Sequence, residues 1–161
     1  MNHKLVEKVE QKRVQEHVQM IDKVLRTNKS NKDKITSLII QFNSVHKSLI
    51  ESERTKEFEI IAALNVFLDS HESIKVKSEQ LIKMKPYRLR VDMIIEYNGS
   101  KYLLEIKRPN QKLNRRIDEK TFFMMGRLKI ETGYVYSPNS KENLSVKVQP
   151  NLLGEELIYI A

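Results

Sequence analysis

Residues 91–110 read VDMIIEYNGSKYLLEIKRPN, and this stretch leaves a chain little choice of local fold. Two apolar runs flank Asn98-Gly99, the strongest short-range hairpin signal. Asn and Gly both tolerate positive φ, which a two-residue type I′ turn needs at its two central positions. The turn also sets the register. Tyr97 pairs with Ser100, so paired residue numbers sum to 197 and Asp92 faces Glu105. Arg90 then faces Lys107.

Strand side chains alternate between faces. One face carries Val91, Met93, Ile95, Tyr97, Tyr102, Leu104 and Ile106, and it must lie on a core. The other carries Asp92, Ile94, Glu96, Lys101, Leu103, Glu105 and Lys107. At its turn end Glu96 and Lys101 form an opposite-charge pair. At its far end two carboxylates face each other, and a lysine follows two residues later. Like charges directly opposite destabilise a sheet by some fraction of ~1 kcal/mol. A divalent cation removes that repulsion, because hard cations take carboxylate oxygens.

The chain has 161 residues, enough for one domain or a small domain with an appendage. With 40% apolar and 31% charged residues it reads as globular rather than disordered. It has no Cys, which excludes disulfides and thiolate metal sites and makes a reducing, cytoplasmic setting the expectation. No apolar run reaches membrane-span length, and the opening MNHKLVEKVE lacks the apolar core of a secretion signal. A net charge of +8 favours a polyanionic partner, nucleic acid first.

Two helical stretches come first. Val14, Val18, Ile21 and Leu25 form a heptad seam within residues 3–27, and Ile35, Leu38, Phe42, Val45 and Leu49 form another within 33–50. Ser30 or Asn31 caps the second. Residues 1–50 therefore read as an N-terminal helical hairpin that docks on the domain after it or pairs with a second copy, and 51–161 as that domain. His17 and His46 read as solvated surface side chains. Residues 53–70 read as a third, nearly all-apolar helix, with Glu57 on the stripe of Ile60, Ile61, Leu64 and Leu68. Glu57 either favours the helix dipole in the first turn or points into a site.

A first strand is expected at 73–82, followed by the basic loop or edge KMKPYRLR, which Pro86 interrupts. After the hairpin, residues 111–132 read as a helix ended by Gly133, with Phe122, Phe123, Met124 and Met125 as core packing. Strands follow at 134–137, 144–149 and 156–160. Lys85, Arg88, Arg90, Arg108, Lys112, Arg115 and Arg116 are the candidate phosphate contacts, the last four clustered just beyond the acidic pair.

From residue 53 the order is helix, three strands, helix, strand, with Asp92 and the run Glu105, Ile106, Lys107 on the second and third strands. At these residues the chain resembles the PD-(D/E)XK nuclease superfamily, and within it the nuclease domains of type I restriction subunits and related defence proteins. The resemblance covers about residues 53–137; Val91 stands where the family has a proline. It implies a restriction-endonuclease-like α/β fold: an αβββαβ core with a mixed central sheet flanked by helices, here preceded by the helical hairpin. It further implies Mg2+ or Mn2+ held by Asp92, Glu105 and the Ile106 backbone carbonyl, with Lys107 assisting the attacking water. Glu57 is the match for an acidic residue from the first helix, with Glu53 and Glu59 as alternatives.

The expectation is a metal-dependent nuclease acting on DNA, with RNA not set aside, no membrane, and a homodimer through the N-terminal helices as a further option. Two other readings stay open. One is a non-catalytic nucleic-acid-binding or assembly module on the same fold. The other is a helical interaction protein whose function lies in residues 3–50.

Overall fold

A computed structural model describes residues 3–84, 87–140, 144 and 146–161; for residues 3, 82–84, 87 and 88 it describes the backbone alone. Along the chain come α1 (His3–Leu25), α2 (Asn31–Val45), α3 (Lys47–Glu51), α4 (Glu57–Asp69), β1 (Ile74–Met84), β2 (Tyr87–Tyr97) and β3 (Ser100–Ile106). Then follow α5 (Arg115–Leu128), β4 (Thr132–Tyr136), β5 (Val146–Pro150) and β6 (Glu156–Ile160). The strands form a six-stranded mixed sheet in the order β1-β2-β3-β4-β6-β5. β1, β2 and β3 are antiparallel neighbours, β3 and β4 are parallel, β4 and β6 are parallel, and β5 closes antiparallel on β6. The parallel β3–β4 step requires a crossover, and α5 supplies it.

The hairpin forms as its turn dictates. Asn98 and Gly99 both have positive φ (50° and 79°). The five pairs from Met93↔Leu104 to Tyr97↔Ser100 all sum to 197. The β2–β3 pairing stops at Met93↔Leu104, so the expected partners Asp92 and Glu105 are not paired in the ladder, and neither are Arg90 and Lys107; Arg90 instead meets Glu79 Oε2 of β1 at 2.6 Å. The basic stretch after residue 82 is not an irregular edge. β1 and β2 stay paired out to Met84↔Tyr87, on either side of residues 85–86.

Both faces of the sheet are covered. On one, Met93, Ile95, Tyr102, Leu104, Ile106, Tyr134, Tyr136, Ile158 and Ile160 share a core with Ile21 of α1, with Ile35, Leu38, Ile39 and Phe42 of α2, and with Ile60, Leu64 and Phe67 of α4. On the other, Leu103, Val135, Leu157 and Tyr159 pack with Ile117, Met124 and Met125 of α5. Each such aliphatic side chain, fully buried, is worth roughly 1.5–3 kcal/mol. Val91 departs from the expected alternation and joins the α5 side. The β1–β2 pairing skips Glu79 and Asp92, and Glu79 has φ 53°, so the pleat is broken there.

Helix α2 is tied to the sheet by polar contacts as well as by apolar ones. The buried Tyr134 hydroxyl donates to the Lys32 carbonyl (2.8 Å), and the Tyr136 hydroxyl donates to Asn43 Oδ1. Lys32 pairs with Glu156 at 2.7 Å. Ser30 caps α2 by accepting from the Asp33 amide. The second helical stretch is not continuous, because it breaks at His46. The His46 ring stacks on Phe42 (4.3 Å between centroids), and His17 meets Phe67 edge-on at 5.2 Å. These histidines are half-buried rather than solvated, and burial pulls both below the ordinary imidazole pKa. The third helix starts four residues later than expected, at Glu57. Phe123 lies on the exposed side of α5 under the Arg127 guanidinium, 5.5 Å from the ring centroid, and not in the core. Among the described residues no helix is long and apolar enough to cross a membrane.

Helix α5 is shorter than the expected 111–132. Asn114 caps its start by accepting from the Ile117 amide, and Lys129 ends it in the left-handed region. Gly133 is therefore not a helix stop. It lies in β4, where a Cβ would come 2.6 Å from Met125 Sδ, so its role is close packing under α5. Gly126, inside α5, has among the described residues only Glu155 Oε2 near a would-be Cβ, at 3.8 Å. The two glycines should respond in opposite directions. Gly133→Ala should cost about 1–3 kcal/mol by overpacking, whereas Gly126→Ala should add about 0.5–1 kcal/mol by removing backbone entropy from the helix. Urea denaturation of the two variants measures both.

Candidate active site

The carboxyl ends of β3 and β4 and the start of α5 come together at one end of the sheet. In open α/β sheets this is where ligands bind. Here Asp92, Glu105 and Lys107 line an open cleft of about 690 Å³ together with Glu57 and Arg108.

The backbone explains how the acidic pair is held. The Lys107 amide donates to the Tyr136 carbonyl of β4 (2.9 Å), so the Ile106 amide points the other way, toward β2. There it donates to Asp92 Oδ2 at 2.7 Å. A side chain thus satisfies the amide that the β2–β3 pairing leaves over. In an extended strand the N–H and C=O of one residue face the same edge, so the Ile106 carbonyl also faces the Asp92 side.

Glu105 is 4% exposed. Lys107 Nζ donates to its Oε1 at 3.1 Å, and its Oε2 is buried with no hydrogen-bond partner among the described residues. Asp92 is pushed up to about 6, first by burial and then by the Glu105 charge, against the pull of the Ile106 amide and Lys107. An orphaned carboxylate oxygen beside a second carboxylate is an acceptor set that suits a hard cation.

The structure sorts the expected residues. Glu57 is half-buried in the first turn of α4 and lines the cleft, as does Glu53. Glu59 is committed elsewhere, its Oε1 accepting from the Lys56 amide at 3.3 Å. Among the described residues no group of three or more His, Asp or Glu side chains has metal-holding spacing, so Glu57 does not complete a three-carboxylate set with Asp92 and Glu105. Arg90 and Arg108 line the cleft, and Arg116 lines a smaller pocket beside it, next to Glu105 and Lys107. Arg115 pairs with Glu119 (3.2 Å) and lines a separate pocket with Asp118 and Lys147. Lys112 is exposed and lines none of these. Lys85 and the Arg88 side chain lie outside the described residues.

Sequence reading missed Arg54, Lys56, Phe58, Glu79 and Lys120, all on the cleft wall. Lys120 was within reach, because it lies one helical turn after Arg116. Arg54 and Lys56 were hidden by the late start of α4. Residues before Glu57 form a loop held by the buried Thr55, whose hydroxyl donates to the Leu49 carbonyl at 2.7 Å. Glu79 reaches the cleft through its left-handed backbone, which no local pattern announces.

No family model matches the chain, and no curated protein matches it. Among solved structures it is similar to the crystal structure of AF1548, a protein of unknown function, at a TM-score of 0.37 and 11% identity. That alignment covers 66% of this chain and 50% of the other, so the chain spans half the length of that structure. A likeness at this level carries no argument.

The buried pair has a measurable signature without any metal. Asp92 binds its proton more tightly in the folded chain, about 6 against an ordinary 3.8. Its ionisation therefore costs stability above about pH 6, and the cost is relieved as pH falls toward 4. Asp92→Asn keeps an acceptor for the Ile106 amide and removes the charge. In EDTA at pH 7.5 it should gain about 1–2 kcal/mol over the parent, a gain that should shrink toward zero at pH 4.5. Urea titrations at both pH values test this. A loss at pH 7.5 would contradict the like-charge pair.

Proposed function

We propose that the chain is a metal-dependent nuclease of the PD-(D/E)XK type, on a restriction-endonuclease-like fold, that hydrolyses DNA phosphodiester bonds. The observation that carries this reading is the buried Glu105 Oε2, without a hydrogen-bond partner among the described residues, in an open cleft that Asp92, Lys107, Arg54, Lys56, Arg108 and Lys120 also line. Asp92, Glu105 and the Ile106 carbonyl would hold Mg2+ or Mn2+. Two carboxylates are a fitting protein contribution, since Mg2+ keeps several waters and takes its other ligands from substrate phosphates. When bound, the ion supplies Lewis acidity and lowers the pKa of its water.

The chain's own groups do the rest. Asp92 and Glu105 are held in place by the Ile106 amide and by Lys107. Lys107 Nζ, 3.1 Å from Glu105, is placed to hold the attacking water and to neutralise charge gathering on the phosphoryl oxygens. Arg54, Lys56, Arg108 and Lys120 are exposed on the cleft and have no ion-pair partner among the described residues. Such cations position a phosphate backbone without reading its sequence. A single site per chain cuts both strands of a duplex with two copies, or with two visits. Pairing through α1 would supply the second copy, because Leu5, Val6, Val9 and Val14 in its first half are exposed.

The absence of a third carboxylate at metal-holding spacing among the described residues favours one competitor, a nucleic-acid-binding module without catalysis. Cleavage decides between them. Of supercoiled, linear, single-stranded and branched DNA, at least one should be nicked or cut with Mg2+ or Mn2+ and left intact in EDTA. Glu105→Ala and Lys107→Ala should each lower the rate at least ~100-fold, with circular dichroism unchanged. Undiminished cleavage by both variants sinks the proposal, and salt-sensitive binding with neither cleavage nor metal uptake supports the competitor.

A further inference from the structure

Phe58 is 59% exposed, although it is the second residue of a helix whose other large apolar side chains are mostly buried. Ile60, Ile61, Leu64, Phe67 and Leu68 carry the packing of α4, and Phe58 lies off that stripe. A single exposed apolar side chain is ordinary on a protein surface. This one lines the same cleft as Asp92, Glu105 and Lys107. Arg54 and Lys56 precede it in the chain, Arg108 and Lys120 line the cleft with it, and the buried Ile61 one turn on forms part of the same wall.

We infer that the cleft takes a single-stranded segment of nucleic acid, with one unpaired base stacked on Phe58 and the flanking phosphates on Arg54, Lys56, Arg108 and Lys120. The chemistry selects that form of substrate. In a duplex both faces of every internal base are covered by its neighbours, and only edges and phosphates are offered. An unpaired base offers a π face, and an exposed aromatic ring beside cations that follow the phosphates is the arrangement that holds single strands without sequence preference. The four cations share the cleft lining with Glu53, Glu57 and Glu79, the last of which is paired with Arg90. This inference rests on the nuclease reading for what happens at the acidic pair. It does not rest on it for binding, which needs no metal. Deoxyribose and ribose strands share the base face and the phosphates, so both serve as probes.

The test is fluorescence anisotropy of the full chain in EDTA, where no cleavage occurs. The probes are labelled 15-nucleotide oligo-dT and oligo-rU, a 15-base-pair duplex, and an oligo-dT with abasic sites in place of its central bases. The single strands should bind at least ~10-fold more tightly than the duplex. Phe58→Ala should weaken binding of oligo-dT or oligo-rU about 5- to 150-fold, the range expected for losing one stacked base. The same substitution should leave duplex and abasic binding unchanged. Phe58→Tyr should bind like the parent, as should Val66→Ala, an exposed residue of the same helix that does not line the cleft. Which of the two single strands binds more tightly names the substrate. Equal affinity for duplex and single strand, or a Phe58→Ala variant that binds oligo-dT and oligo-rU like the parent, overturns the inference; metal-dependent cleavage then still stands or falls by its own assay. Failure to bind any of the four probes overturns the single-strand inference and the nucleic-acid reading together.

Discussion

A single hydrogen bond, from the Ile106 amide to Asp92, organises the end of the sheet where the candidate site lies. Parallel pairing to β4 commits the neighbouring Lys107 amide to Tyr136. Strand geometry then turns the Ile106 amide toward β2, where main-chain pairing has stopped. A buried amide without an acceptor is costly, so the Asp92 carboxylate is held in place by a backbone requirement. That position brings it against Glu105 and drives its proton affinity up. The fold thus stabilises an arrangement that is electrostatically unfavourable by itself. Arrangements of this kind collect at functional sites, where stability is given up for chemistry.

The layers on either side make the strain tolerable. β3 is buried on both faces by α1, α2 and α4 on one side and by α5 on the other. Dispersion and burial across these interfaces far outweigh the cost of one like-charge pair. The glycine of β4 lets α5 lie close to the sheet, and α5 begins at the site end, so Arg116 and Lys120 come beside Glu105 and Lys107. Packing of α4 against the same sheet brings Glu57, Phe58 and the preceding loop to the opposite wall. The cleft is therefore built from four separate stretches of chain, and only one of them is the hairpin.

Much of this was legible because it depended on local chemistry. Asn98-Gly99 specified turn, register and face, and Met93 through Tyr97 pair as expected. Helices with periodic stripes and the cap at Ser30 were found, as were the strand expected at 134–137, which runs Thr132–Tyr136, and the strand at Glu156–Ile160. Misreadings came where a tertiary contact replaced a local rule. Gly133 looked like a helix stop and is a packing contact with Met125. His17 and His46 looked solvated and are packed against Phe67 and Phe42, because the helix crossing closes over them. Val91 crossed to the other face through the left-handed residue on the neighbouring strand.

The sequence by itself determined the α/β class and the hairpin with its register, and it brought Asp92 toward Glu105, with Lys107 two residues further on. Turn stereochemistry and strand alternation act over a few bonds and need no distant partner. Tertiary structure alone decided that the pair is buried, that Glu105 Oε2 has no partner among the described residues, that Glu59 caps a helix while Glu57 lines the cleft, and that Phe58, Arg54, Lys56 and Lys120 wall it. Those properties depend on which surfaces the packed layers leave uncovered. Burial and desolvation are set by distant segments of the chain, so no local pattern records them.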